Sequence, residues 1–426
     1  MRKILKNGKI VLENQVLENC ELVIENGRIA EITASKSRNP IAGEGPAKIK
    51  NSGQDEAENA KVNDTETNDV EEKDTEEIDV GGAYIMPGII DIHSDMIESF
   101  IQPRSTAVMD FAMGLREAER VLMSCGITTM FHSISMFREG AWDVKEIRQA
   151  PQVRKLAGLV GGYRHEARLI RHRYHLRYEI DNIACYDDVM EMIQSGVVDL
   201  LSFMDHTPGQ GQYKNLEIYR RHQPNEGRDL TEKAFQELIG QEAEKEMVSF
   251  EQLMDLADCA RKYGIKIASH DDDTVEKLKV NQELGVTISE FPITMEVAEA
   301  AVESGLQTVL GAPNILLGGS HSGNLSALEA INAGAATVLV SDYYPQALLQ
   351  AVFRLYRQEG IPLFEAVRYV TLNPAKAVGM ERELGSIEAG KKADILCVKL
   401  EEGYPQLNRV FVDGECIMNC QYRKAD

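Results

Sequence analysis

Hydrophobic and polar positions change rhythm three times along the chain. Over residues 1–34 the apolar residues fall into short β-rich runs, "KILKNGKIVLEN" and "CELVIENGRIAEI", with Asn7-Gly8 and Asn26-Gly27 as hairpin signals. The same texture returns in "LGSIEAGKKADILCVKL" and "NRVFVDGECIMN", so the two ends, residues 1–34 with 380–426, are expected to share one small β-domain. Residues 35–79 break the pattern, with no apolar periodicity and almost no large apolar side chain. From Asn51 to Asp79 this piece carries 12 acidic and 2 basic residues, a net of -10 out of -22 for the whole chain. It cannot bury enough apolar surface to offset the entropy of ordering it, so a solvated acidic insertion is expected.

From about residue 80 to 379 short β-rich runs alternate with longer helical stretches. Eight strands are predicted, at 85–93, 127–134, 175–180, 198–205, 265–269, 286–291, 307–311 and 337–341. The intervening "VMDFAMGLREAERVLMSCG", "EQLMDLADCARKYG" and "PQALLQAVFRLYRQEG" carry helical spacing, the last two ending at glycine. Eight strands alternating with helices specify a (β/α)8 TIM barrel, so the fold class is α/β.

Composition narrows the function. A chain of 426 residues with 43% apolar and 27% charged residues suits a soluble enzyme with a sizeable core. A net charge of -22 argues against nucleic acid as a partner, because such proteins displace counterions with basic surface. No run approaches the roughly 20 apolar residues that span a bilayer. The N-terminus lacks the apolar core of a secretory signal, and the seven cysteines are scattered and never paired as CxxC. A cytoplasmic protein with reduced thiols and no membrane partner is expected.

In a parallel barrel, chemistry sits at the carboxyl ends of the strands. Strand one ends in His93-Ser-Asp95, strand three in His175-Leu-Arg177-Tyr-Glu179, strand four in Asp205-His206, strand five in Ser269-His270 and strand eight in Ser341-Asp342. Alternation along a strand puts His93 with Asp95 on one face, and His175, Arg177 and Glu179 on another. Histidines and carboxylates in this number suit two divalent metal ions, zinc foremost, with manganese or iron as alternatives. Two such ions can clamp a hydroxide and stabilise an oxyanion.

Other stretches suggest a phosphate-bearing substrate. "YRHEARLIRHRYHLRYE" concentrates Arg164, Arg168, Arg171, Arg173 and Arg177 in an otherwise acidic protein, and guanidinium forks bind phosphate oxygens bidentately. Of these, Arg177, together with His175, shares a face with Glu179. "GGSHSGN" follows strand seven, so Ser320, His321 and Asn324 could help a glycine loop cradle phosphate. "TPGQGQYKN" reads as a mobile loop offering Lys214. No Walker motif or dinucleotide fingerprint appears. His132 reads as a packed core histidine, Asp271-Asp272-Asp273 as an acidic helix start or as support for His270, and Cys416 and Cys420 as plain strand residues.

"MPGIIDIH", the distant "GKKADILCV" and the β-rich ends resemble the amidohydrolase superfamily, which implies a metal barrel flanked by a small β-sandwich made from both chain ends. More narrowly, "HSD", "HLRYE", "MDHTPGQGQY", "SHDDD", "EFPIT", "GAPN", "GGSHSGN" and "SDYYP" resemble, in order, the PhnM-type diphosphatases of phosphonate metabolism. That resemblance implies hydrolysis of alpha-D-ribose 1-methylphosphonate 5-triphosphate to the 5-phosphate and pyrophosphate, ahead of the carbon-phosphorus lyase step. It implies His93 and Asp95 on one metal, His206 and His270 on the other, Glu179 bridging, and Asp342 orienting or deprotonating the water. Two departures from the wider superfamily stand out: HxD replaces HxH, and Glu179 falls on the third strand where a bridging residue is usually on the fourth. The implied partner is a small phosphorylated ribose phosphonate, with homo-oligomerisation left open. The rival readings are an amidohydrolase acting on a cyclic amide or N-acyl group, and a non-catalytic scaffold that keeps only the barrel.

Overall fold

The computed structural model describes residues 1–35, 75–139, 145–207, 216, 220, 231–320 and 324–421. Strands β1 (Arg2–Val11), β2 (Val16–Glu25) and β3 (Arg28–Ala34) form an antiparallel meander. Asn26-Gly27 makes the β2–β3 turn with both residues at positive φ, as the dipeptide predicts. Asn7-Gly8 does not turn the chain: it is a bulge inside β1, where the pairing register with β2 shifts. The Asn7 side chain donates to Asp79 at 2.8 Å, and a Cβ at Gly8 would stand 2.5 Å from Ile85 Cδ1, so glycine lets the strands close up.

The expected acidic insertion ends earlier than predicted. Thr75–Asp79 forms β4, parallel to β1, because Ile78 supplies an apolar anchor among the acids. Residues 36–74 lie outside the described residues. The expected first barrel strand is also two strands. β5 (Tyr84–Pro87) pairs with β1 in the terminal sheet, and β6 (Ile89–Ser94) starts the barrel. Pro87 ends the first, and Gly88 crosses so close to β7 that a Cβ there would meet Thr128 Oγ1 at 2.3 Å.

The barrel continues through β7 (Ile127–Met136), β8 (Arg171–Glu179), β9 (Leu200–Met204), β10 (Lys266–His270), β11 (Ile288–Glu290), β12 (Gln307–Gly311) and β13 (Val338–Val340). Its eight strands are parallel neighbours in chain order, and a bridge between Ser94 and Asp342 links β13 back to β6. Inside, Ile90, Phe131, Leu200, Ala268, Ile288, Val309 and Val338 pack into one cluster, met by Ala375, Ala377 and Leu384. Each large side chain so buried contributes about 1.5–3 kcal/mol. At the same level β8 contributes the buried His175 instead of an aliphatic residue. This packed interior leaves the strand ends as the place for chemistry.

The chain returns to the first sheet as β14 (Ile395–Glu401), β15 (Tyr404–Val412) and β16 (Glu415–Asn419). The sheet order is β16-β15-β14-β5-β1-β2-β3, with β4 also on β1. Leu5, Ile24 and Ile29 pack in one cluster with Ile395, Cys397 and Phe411, so the two arms of the sheet fold over a shared core. Among the described residues no helix is long and apolar enough to cross a membrane.

Candidate active site

The strand ends of the barrel bring four of the expected residues together. His93, at the end of β6, is buried, and its ring stacks on that of His270 from β10 with centroids 5.3 Å apart and planes 13° from parallel. Phe291 lies edge-on to both rings, at 5.0 and 5.3 Å. Beneath them sits Glu290, fully buried at the end of β11. Its Oε1 is 2.9 Å from His93 Nδ1, and its Oε2 is 3.4 Å from His270 Nδ1 and accepts from Ser202 Oγ at 2.8 Å. Burial alone would push the Glu290 carboxyl up, but the imidazoles of His93 and His175 hold it well below the usual range. One carboxylate therefore orients two rings through their Nδ1 atoms, turning both Nε2 atoms away from it.

His206, just beyond β9, pairs Nδ1 with Glu179 Oε1 at 2.7 Å. Its Nε2 is 3.8 Å from Asp271 Oδ2, and the Nε2 of His270 is 3.7 Å from the same oxygen. Burial disfavours charge on His206, yet Glu179 and Asp271 together raise its pKa. Burial, aided by the Arg177 charge, lowers that of His270 well below the ordinary value. Burial also pushes the Asp271 carboxyl up to about 6.

Asp95 and Asp342 flank the seam where the barrel closes. Asp342 N donates to His93 O at 3.1 Å and Asp95 N to Asp342 O at 2.9 Å. Asp342 has a φ of 59°, Phe291 and Asp271 both 53°. Three strand ends at one mouth thus hold non-glycine residues in the left-handed region, at about 1–3 kcal/mol each, a cost that the surrounding structure must impose. The Asp95 carboxylate receives Arg148 at 3.4 Å, and Arg148 also grips buried Glu98 at 2.6 and 3.1 Å. Burial and the nearby charge of Glu98 raise the Asp95 pKa, against the pull of Arg148 and Arg177.

The expected substrate contacts divide. Arg177 reaches the mouth, with Nη2 3.2 Å from His270 Nε2 and Nε on Met204 Sδ at 3.1 Å. His175 lies too deep to touch a substrate: it is fully buried, with Nε2 2.6 Å from Ser202 Oγ and Nδ1 3.0 Å from Ser133 Oγ, and burial lowers its pKa to about 3. Ser320 and Asn324 are half-buried, while Lys214 and His321 lie outside the described residues. The arginine concentration is not a polyanion site as a whole. Arg164 pairs with Asp199, Arg168 with Glu119, Arg171 with Asp394 and Asp413, and Arg173 with Asp199. These four precede the end of β8 and are held by acids of helices, loops and the terminal sheet; only Arg177 stands one residue pair below Glu179.

Sequence reasoning does not single out Glu290 or Arg148, and reads Asp271 only as an acidic helix start or as support for His270. For Glu290 a signal existed, a carboxylate ending the sixth predicted strand in "SEFPIT"; Arg148 belongs to a single 3-10 turn between barrel strands and offers none. Among the described residues two groups have donor atoms within 4.8 Å of one another and could hold a metal: His93, His175 and Glu290, and His206, His270 and Asp271. The first is knit by a hydrogen bond between His93 and Glu290, whereas in the second Asp271 Oδ2 accepts no hydrogen bond among the described residues.

The model of the amidohydrolase family matches residues 84–419. Over 417 residues the chain is 30% identical to the alpha-D-ribose 1-methylphosphonate 5-triphosphate diphosphatase of Escherichia coli (strain K12), an alignment covering 97% of this chain and 99% of that one. Among solved structures it is similar to N-acetylglucosamine-6-phosphate deacetylase from Pasteurella multocida, at TM-score 0.58 and 14% identity over 98% of this chain and 100% of that chain. It is likewise similar to dihydropyrimidinase from Brevibacillus agri, at TM-score 0.60 and 13% identity over 98% and 95%. At these identities the structural likeness concerns the fold.

Proposed function

The chain belongs to the amidohydrolase family, and from that premise we propose that this hydrolase cleaves alpha-D-ribose 1-methylphosphonate 5-triphosphate to the 5-phosphate and pyrophosphate. The observation that carries the substrate is the full-length likeness to the Escherichia coli diphosphatase, 30% identical over 97% of this chain. Arg177 adds support. It is 8% exposed at the mouth and pairs with no carboxylate within ion-pair distance among the described residues, as befits a cation that meets an anionic substrate.

The donor set fits divalent metal, as imidazoles and carboxylates from several strand ends converge and the buried Asp271 Oδ2 accepts no hydrogen bond among the described residues. His93 and Asp95 would hold one ion, His206 and His270 a second, with Glu179 shared and Asp342 beside them. Zinc is the first choice, with manganese or iron as substitutes. When bound, two such ions would lower the pKa of the attacking water and neutralise phosphate charge.

The remaining work falls to side chains. A water oxygen bonds to the α-phosphorus in line with the leaving group, the bond from that phosphorus to the α–β bridging oxygen breaks, and pyrophosphate departs with the electron pair. Asp342 accepts the water's proton, its backbone held at the seam by the two hydrogen bonds to His93 and Asp95. Arg177 and Arg148 face the non-bridging oxygens, and Glu98 keeps Arg148 in place.

Pyrophosphate release across a panel of ribose 5-triphosphates differing at C1 tests this reading. Metal-loaded protein is expected to prefer the 1-methylphosphonate; no release from any member, with hydrolysis of cyclic amides instead, would overturn it.

A further inference from the structure

We infer that Asp271 is a direct ligand in a three-residue cation site with His206 and His270, and that Arg177 competes with the metal for that site. The inference rests on the metal-dependent reading of the family but not on the identity of the substrate. Asp271 Oδ2 lies 3.8 Å from His206 Nε2 and 3.7 Å from His270 Nε2. Two ligands on one ion, each bonded at about 2.0–2.2 Å in tetrahedral geometry, stand about 3.4 Å apart, so these atoms need close only slightly. They are too far apart to hydrogen bond, and Asp271 Oδ2 is buried with no hydrogen-bond partner among the described residues, an unmet acceptor that a cation bound between it and the two rings would complete.

The other polar groups are arranged to leave these atoms facing one point. Glu179 takes His206 Nδ1 and Glu290 takes His270 Nδ1, so both rings turn Nε2 towards Asp271. The αL backbone of Asp271, at φ 53°, and its amide, which donates to Glu290 O at 2.9 Å, fix the carboxylate against the strand ends. The charge that now faces the group is Arg177, with Nη2 3.2 Å from His270 Nε2. A guanidinium and a divalent ion cannot share that nitrogen. Metal binding therefore displaces Arg177, which frees its guanidinium for substrate phosphate.

Cobalt binding to the full-length protein tests this without substrate. Metal-free wild type, D271N and R177M are titrated with Co(II), following the d–d absorption and the bound metal after gel filtration, with thermal melts as the folding control. D271N is expected to bind about one equivalent fewer than wild type while melting normally, and R177M to bind Co(II) more tightly. Wild-type stoichiometry in a folded D271N, or a wild type that takes up no Co(II), overturns the inference. Should D271N fail to fold, R177M decides: tighter binding supports the inference, and unchanged or weaker binding overturns it. A folded D271N with wild-type stoichiometry, or an R177M of unchanged affinity, leaves pyrophosphate release intact, whereas a wild type without Co(II) uptake would count against both readings.

Discussion

Glu290 shows how one buried charge can set the geometry of a whole site. It meets His93 and His270 through their Nδ1 atoms and accepts from Ser202, so an amide at this position would present a donor where an acceptor is needed. E290Q is expected to weaken metal binding about 10–100-fold, the usual effect of removing a group that orients a ligand. Competition with a chelator of known affinity measures this, and unchanged affinity would mean that His93 and His270 do not owe their orientation to Glu290. At this scale the sequence was a partial guide. His93, Glu179, His206 and His270 were legible because each ends a strand whose pattern was clear. His175 and Arg177 look equivalent in "HLRYE", yet a displacement of two residues along β8 puts one in the interior and the other at the mouth. Arg164, Arg168, Arg171 and Arg173 misled because proximity in sequence says nothing of partners such as Asp199 or Asp394 that lie far along the chain.

Between elements, a relay of buried polar groups joins the helix Phe111–Ser124 to β7 and β8. His132 Nε2 is 2.9 Å from His172 Nδ1, and His172 Nε2 is 3.0 Å from Glu119 Oε2. With Glu119 accepting, His172 donates from Nε2 and its Nδ1 accepts a hydrogen bond from His132 Nε2–H, which leaves both rings neutral. Burial lowers the pKa of both histidines, well below the ordinary value for His132. Below about pH 6.5 the unfolded chain binds protons that these buried rings refuse, so the folded state loses stability as pH falls through that value. Urea unfolding at pH 7.5 and 5.5 should show a smaller acid loss in H132Q than in wild type; an equal loss in both would place the proton uptake elsewhere. Most of the barrel strands were legible from their apolar runs, whereas β8, "RHRYHLRYE", carries few apolar residues. The break at Pro87-Gly88 was not, since "AYIMPGIIDIH" reads as one apolar run and only the approach to Thr128 reveals the crossing. Asn7-Gly8 was misleading for a related reason: the dipeptide that permits a turn also permits a bulge, and Asp79 and Ile85, more than seventy residues away, decide which.

For the whole molecule, charge and site pull in opposite directions. A chain of net charge -22 would repel a triphosphate, so under the proposed function attraction would have to be local, from metal together with Arg177 and Arg148 at the mouth. The terminal sheet braces the barrel beneath that mouth, with Arg171 of β8 tied to Asp394 and Asp413. This division of labour was legible in outline, since both chain ends share a β texture, but the pairing of β5 with β14 required the three-dimensional structure. The central claim is attack of water at the α-phosphorus of a ribose 5-triphosphate. Phosphorus NMR of the products formed from alpha-D-ribose 1-methylphosphonate 5-triphosphate in oxygen-18 water tests it most directly. The label is predicted in the 5-phosphate with unlabelled pyrophosphate; label in pyrophosphate, or release of orthophosphate alone, would contradict the account.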